Sequence, residues 1–135
     1  MKNTQKTIFF TVIIVLVLGA VGTFIVTGAG KSTPTVNYDA LATCLKDKGA
    51  VFYGAFWCPH CQAQKKEFGS SAKLLPYVEC STPDGQGQTQ ICIDKKIQGY
   101  PTWIFADGTQ LSGEVKIKEL ADKTSCEMPA GAAVK

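Results

Sequence analysis

The chain has 135 residues, of which 45% are hydrophobic and 19% charged, with a formal net charge of +3 and six cysteines. That length holds one domain and no more. Every basic residue is a lysine, and beyond Lys2 and Lys6 the positive excess falls to about one charge, without a basic stripe or an arginine fork, so nucleic acid is excluded as a partner class.

Residues 1–7 are polar apart from Met1. Ile8 to Val26 is apolar and uncharged, interrupted only by Thr11, Gly19, Gly22 and Thr23. As a helix it would rise roughly 28 Å, close to the hydrocarbon thickness of a bilayer. It lacks the polar stripe of a helix packed on a globular core. The expectation is a transmembrane anchor over 8–26, with residues 1–7 in the cytoplasm by the positive-inside bias and the rest on the periplasmic or extracellular side of the cell membrane. A cleaved signal peptide is the alternative reading, with Gly28, Ala29 and Gly30 as small residues for cleavage, although its apolar core is usually only about 7–15 residues.

Residues 27–36 read as a Gly-, Ser-, Thr- and Pro-rich linker. Gly28 to Thr33 imitates the end of a phosphate-binding loop, but the Gly required five positions before Gly30 is Ile25, and no strand precedes it. The domain is expected over 37–127. Tyr38 to Lys48 reads as an amphipathic helix, with Asn37 or Asp39 as N-cap and Gly49 as its stop. Ala50 to Phe56 is a buried strand. Pro59 to Leu75 is a helix with Pro in its first turn, a wet face at Lys65, Lys66 and Glu67, and a kink or break at Gly69. Tyr77 to Cys80 is a strand, Ser81 to Gln90 a loop, and Ile91 to Ile97 a short helix before Gly99. Thr102 to Ala106 is a strand that turns at Asp107-Gly108 and pairs back through Thr109 to Ser112. Val115 to Thr124 is the last helix, and 128–135 a flexible tail. Strands alternating with helices indicate α/β layers around one sheet.

Cys58-Pro-His-Cys61 follows a strand directly and opens a helix. Two intervening residues at a helix start bring two sulphurs within bonding reach. At the N-cap, Cys58 lies where free backbone N–H groups and the helix dipole stabilise an anion, which favours the attacking thiolate. Cys61, one turn deeper, is suited to resolve a mixed disulfide. Pro59 fits the first helical turn, and His60 adds partial positive charge near the Cys58 sulphur. Stabilising the reduced form makes the disulfide a stronger oxidant. The competing readings are an inert bridge and a zinc pair. Zinc wants four ligands, whereas the one His lies inside the motif and the other cysteines are widely spaced, so no metal is expected.

Gly99-Tyr-Pro-Thr-Trp103 opens the later strand, where a proline surrenders a ladder donor. Phe56-Trp-Cys-Pro-His-Cys61 followed by this segment resembles the thioredoxin superfamily. With Tyr53 to Gln62, Pro76 to Cys80 and Gln98 to Trp103 taken together, the chain resembles the thioredoxin-like domains fused to bacterial vitamin K epoxide reductase homologues, and Pro-His between the cysteines is of the DsbA type. The resemblance covers roughly Asp39 to Ser125. It implies a thioredoxin-like fold, a central mixed sheet flanked by helices. It also implies a cis bond before Pro101, packed against the active sulphurs, substrate pairing at the Tyr100 backbone, and Trp57 exposed beside Cys58 for substrate binding. Two departures stand out. No fused membrane reductase is present, which implies a separate quinone-linked partner of that type. The buried acid that many relatives place six residues before the first active Cys is replaced by Phe52, leaving Glu67 or water to accept the Cys61 proton.

The remaining cysteines read as structural. Cys80 and Cys92 flank a polar loop, and a bridge closing it contributes about 3 kcal/mol by loop entropy. Cys44 with Cys126 ties the first helix of the domain to the last, useful where the core is small. The alternative for Cys80 and Cys92 is electron relay to the active pair. Phe52, Phe56, Trp103 and Phe105 are expected in the core. The functional expectation is an extracytoplasmic thiol–disulfide oxidoreductase that needs no cofactor beyond Cys58–Cys61 and acts as an oxidase on the thiols of exported proteins. The alternatives are a reductase or isomerase, and a non-catalytic metal- or partner-binding module.

Overall fold

The computed structural model describes residues 6, 8–16 and 36–132. The chain divides into two compact units, Met1–Pro34 and Thr35–Lys135. In the first, residues 8–16 are helical with exposed apolar side chains. Among the described residues no helix is long and apolar enough to cross a membrane. A helix over 8–16 rises about 14 Å, half the hydrocarbon thickness. The expected transmembrane helix over 8–26, and the single-pass cell-membrane localisation that rested on it, are corrected accordingly. Residues 17–26, the linker to residue 35, and the Gly28–Thr33 segment lie outside the described residues.

The second unit is built on a four-stranded sheet. Helix α1 (Asp39–Asp47) buries Leu41, Ala42 and Leu45, and the left-handed Gly49 stops it. Its first amide, Asp39 N–H, donates to Asn37 Oδ1 at 2.7 Å. Strand β1 (Val51–Gly54) leads to helix α2 (Pro59–Glu67). At Gly69, φ +56°, the expected single helix breaks into a 3-10 segment, Gly69–Leu74. Then come β2 (Tyr77–Glu79), the short helix α3 (Gln90–Asp94), β3 (Thr102–Ile104), β4 (Gln110–Ser112) and α4 (Ile117–Thr124). The positive φ at Gly108 makes the turn between β3 and β4.

The sheet order is β2-β1-β3-β4, with β1 parallel to β2 and the other two pairs antiparallel. A mixed sheet of this kind is what the resemblance implies. Successive residues of β1 face opposite sides. Phe52 stacks on Trp103, centroids 4.8 Å apart, in the main core with Leu41, Leu45, Phe68, Phe105 and Leu120. Tyr53 looks the other way, into a smaller cluster with Cys80, Cys92 and Ile97. Each large apolar side chain so buried contributes about 1.5–3 kcal/mol. Phe56, expected in the core, is 51% exposed. The strand ends at Gly54, and Phe56 lies in the turn that leads to α2.

Two disulfides are closed, Cys44–Cys126 and Cys80–Cys92. The first joins α1 to Cys126, two residues beyond α4, and the second joins the residue after β2 to α3. The Cys80–Cys92 bridge packs in the smaller cluster with Tyr53, apart from the core that holds Cys58 and Cys61.

Candidate redox site

Beyond β1, the chain turns through Phe56 and Trp57 and enters α2 with Cys58 as N-cap and Pro59 in the first turn. Proline suits that place because its missing N–H would have no helical partner. Cys58 and Cys61 are free thiols, 5% and 1% exposed. Gln62 N–H donates to the Cys58 carbonyl at 3.1 Å, closing the first helical turn.

The Tyr100–Pro101 bond is cis. The Cys58 thiol donates to the Tyr100 carbonyl at 3.6 Å. Residues 42 positions apart thus meet at one sulphur. The Tyr100 hydroxyl accepts from Gln88 Nε2 at 2.8 Å, and its ring meets Trp57 edge to face at 6.0 Å. Trp57 is 50% exposed, its indole N–H donating to Ser81 Oγ at 2.8 Å. An aromatic surface therefore flanks the thiol, with its polar atoms already held.

His60 is exposed and pairs with Glu114, Nδ1 to Oε1 at 2.6 Å. Glu114 belongs to the loop before α4, which Gln64 fastens to the active helix. Fully buried Gln64 donates to the Val115 carbonyl at 2.9 Å and accepts from the Val115 N–H at 2.7 Å. Glu67 accepts from Gln64 Nε2 at 3.1 Å, and burial together with the neighbouring Glu114 raises its carboxyl above the usual range.

Burial pushes the Cys61 thiol up to about 12, and the hydrogen bond and charge of Cys58 add to that. A backbone hydrogen bond to Ala55 and the Lys65 charge pull the other way. Cys61 is thus a protonated thiol at neutral pH. Among the described residues, Lys65 is the charged side chain that draws the Cys61 thiol down. Phe52, at the position of the missing acid, is fully buried in the apolar core.

Lys65 corrects the expectation of a wholly wet face. It is half-buried, its amine 3.2 Å from the centroid of the Tyr77 ring. The Tyr77 hydroxyl donates to Glu79 Oε2 at 2.7 Å, while Glu79 Oε1 accepts from the backbone N–H groups of Phe56 and Ser81. Gly54 permits this close approach: a Cβ there would lie 2.9 Å from both Cys61 Sγ and the Tyr77 ring. No motif in the sequence marks Gln64, Lys65, Tyr77, Glu79 or Glu114 as site residues. The signal available was helical spacing, since Cys61, Gln64, Lys65 and Phe68 share one face of α2.

Cys58, Trp57 and Tyr100 meet beside the cis bond to Pro101, with Pro59 and Cys61 in the first turn of α2, whereas His60 turns outward to Glu114 and the other four cysteines are closed into bridges. Among the described residues no group of three or more His, Cys, Asp or Glu is placed to hold a metal ion. What the arrangement can do chemically is exchange: a sulphur at the helix start, a second one turn further along α2, and a backbone carbonyl beside the first.

A mixed sheet with a dithiol at the start of its central helix and a cis-proline facing it defines the dithiol class of α/β domains. Residues 32–126 match the family model described as Thioredoxin, and the chain belongs to the thioredoxin family. The thiol-disulfide oxidoreductase LTO1 of Arabidopsis thaliana is 52% identical over 90 residues, covering 63% of this chain and 23% of that protein. The thioredoxin domain-containing protein 5 homolog of Drosophila melanogaster is 32% identical over 72 residues, covering 47% of this chain and 16% of that protein. The chain therefore spans less than a quarter of the length of these curated relatives.

Proposed function

We propose that this protein is a thiol–disulfide oxidoreductase in which Cys58 exchanges with substrate sulphur and Cys61 closes or opens the internal disulfide. The observation that carries the reading is the pair of free thiols at the α2 start, with Cys58 hydrogen-bonded to the Tyr100 carbonyl next to cis-Pro101. An extended substrate segment pairs with the Tyr100 backbone by strand addition, and Trp57 supplies an aromatic contact. Membership of the thioredoxin family and the name of the Arabidopsis relative support the same chemistry.

The direction we favour is oxidation. Two closed structural disulfides fit work in an oxidising compartment, and Pro59-His60 is the dipeptide of DsbA-type oxidases. In that direction Cys58–Cys61 takes two electrons from the thiols of exported proteins, and a quinone-linked membrane oxidoreductase of the vitamin K epoxide reductase type reoxidises it. The test is the reduction potential of the Cys58–Cys61 couple, by equilibration with glutathione. A value close to about −120 mV supports the oxidase, and one close to about −270 mV replaces it with a reductase.

A further inference from the structure

The reaction requires the Cys61 sulphur to carry negative charge, yet it is buried, and Phe52 in the apolar core takes the place of an acid. The charge that reaches it is a cation. Lys65 follows Cys61 by four residues and so lies over it on the same face of α2. Its side chain turns inward, the amine 3.2 Å from the Tyr77 ring centroid, and Tyr77 and Cys61 both lie 2.9 Å from where a Cβ on Gly54 would sit. Glu79 anchors the far side of this arrangement through the Tyr77 hydroxyl and two backbone N–H groups.

We propose that Lys65 is a positioning residue for disulfide exchange, its ammonium stabilising the Cys61 sulphur whenever that sulphur is anionic, with Glu79 as the counter-charge that keeps the amine protonated. The inference rests on the redox reading above and adds a residue to it. Burial draws the Lys65 amine down, while Glu79 and then Cys61 draw it back up, which is the balance such a role needs. A cation in this half-buried place acts more strongly than one in water.

The same charge serves both directions. In reduction, the Cys61 S–H gives its proton to water and the thiolate attacks Cys58 Sγ. The Cys58–Cys61 bond forms, the bond from Cys58 to the substrate sulphur breaks, and the substrate leaves as a thiolate that takes up a proton. The active pair loses two electrons and the substrate disulfide gains two. In oxidation, a substrate thiolate attacks Cys58 and Cys61 departs as the anion. The titratable groups facing Cys61 are Cys58 from the N-cap, Lys65 from its own helix, and Tyr77 from β2, with Glu79 behind it.

The test separates the two steps in the full-length protein, with Lys65→Met and Lys65→Arg compared to wild type between about pH 6 and pH 9, the range below Cys61 titration. Step one is mixed-disulfide formation at Cys58, followed in a Cys61→Ser background. Step two is release of substrate from a preformed mixed disulfide by Cys61. Lys65→Met is expected to slow step two about tenfold, one unit of thiolate stability, with step one kept within about twofold and Lys65→Arg restoring the rate. Equal step-two rates in wild type and Lys65→Met overturn the proposal. So does an equal slowing of both steps without rescue by Arg, which marks a merely structural lysine. Failure of the wild-type protein to form any Cys58 mixed disulfide sinks the redox reading itself, before Lys65 is compared.

Discussion

Cys44, Cys80, Cys92 and Cys126 are closed into bridges, whereas Cys58 and Cys61 stand as thiols in the same domain. The bridges join separate elements, with sequence separations of 82 and 12. By loop entropy they contribute about 4.5 and 3 kcal/mol, so opening either weakens the fold. A bridge between Cys58 and Cys61 would close only a helical turn, worth about 2 kcal/mol on the same scale. Burial does not separate the populations, since Cys58 and Cys61 are as enclosed as Cys80 and Cys92. What separates them is loop length and polar surroundings: the open pair has a carbonyl, a cation and a helix start beside it. A dithiol that must cycle belongs where its opening costs the fold least.

The largest expected effect breaks that comparison outright. Cys58→Ser should abolish reduction of insulin disulfides, while the double variant Cys44→Ala with Cys126→Ala should retain it in the folded protein at low temperature. Stability should show the reverse order. Urea unfolding of the Cys44→Ala, Cys126→Ala protein should reveal a loss of about 4.5 kcal/mol, and of the Cys80→Ala, Cys92→Ala protein about 3 kcal/mol. Comparable losses from Cys58→Ala with Cys61→Ala, measured against the reduced wild type, would erase the distinction. Gln64→Leu should cost about 2 kcal/mol, because the buried Val115 N–H and C=O lose their partner.

The smallest effect is in alkali. Burial holds the folded Cys61 thiol up at about 12, against an ordinary value of 9.0. In the window between, the unfolded chain has lost the proton and the folded chain keeps it, so this contribution is full below 9 and declines as pH rises towards 12. The reduced protein should lose roughly 1 kcal/mol by about pH 10 through Cys61. Tyr77, raised by burial and by Glu79, adds in the same direction. The share of Cys61 is therefore the difference between wild type and Cys61→Ala, and identical alkaline profiles for the two would contradict its burial as a thiol.

The order of elements was legible in the sequence because each has its own punctuation: Pro59 at a helix start, Gly49 at a helix end, Asp107-Gly108 at a turn. Element ends were less so. Phe56 continues the apolar run of β1 by composition, yet pairing with β3 stops at Tyr53 and with β2 at Gly54. The polar run Gln62 to Glu67 conceals Gln64 and Lys65, whose burial depends on Val115 and Tyr77, partners distant in sequence. Hydropathy over 8–26 reads composition alone, and the described helix over 8–16 is too short for the span it implied. Local chemistry is written in the sequence, and what surrounds it is set by tertiary contacts.

The most direct measurement is covalent capture. Cys61→Ser and Cys58→Ser proteins are each incubated with a disulfide substrate, quenched with acid, digested and mapped by mass spectrometry. Accumulation of a mixed disulfide on the Cys58 peptide of the Cys61→Ser protein, and none in the Cys58→Ser protein, is the expected result. Equal capture by both, or capture at Cys80 or Cys92, would contradict the division of labour between the two sulphurs.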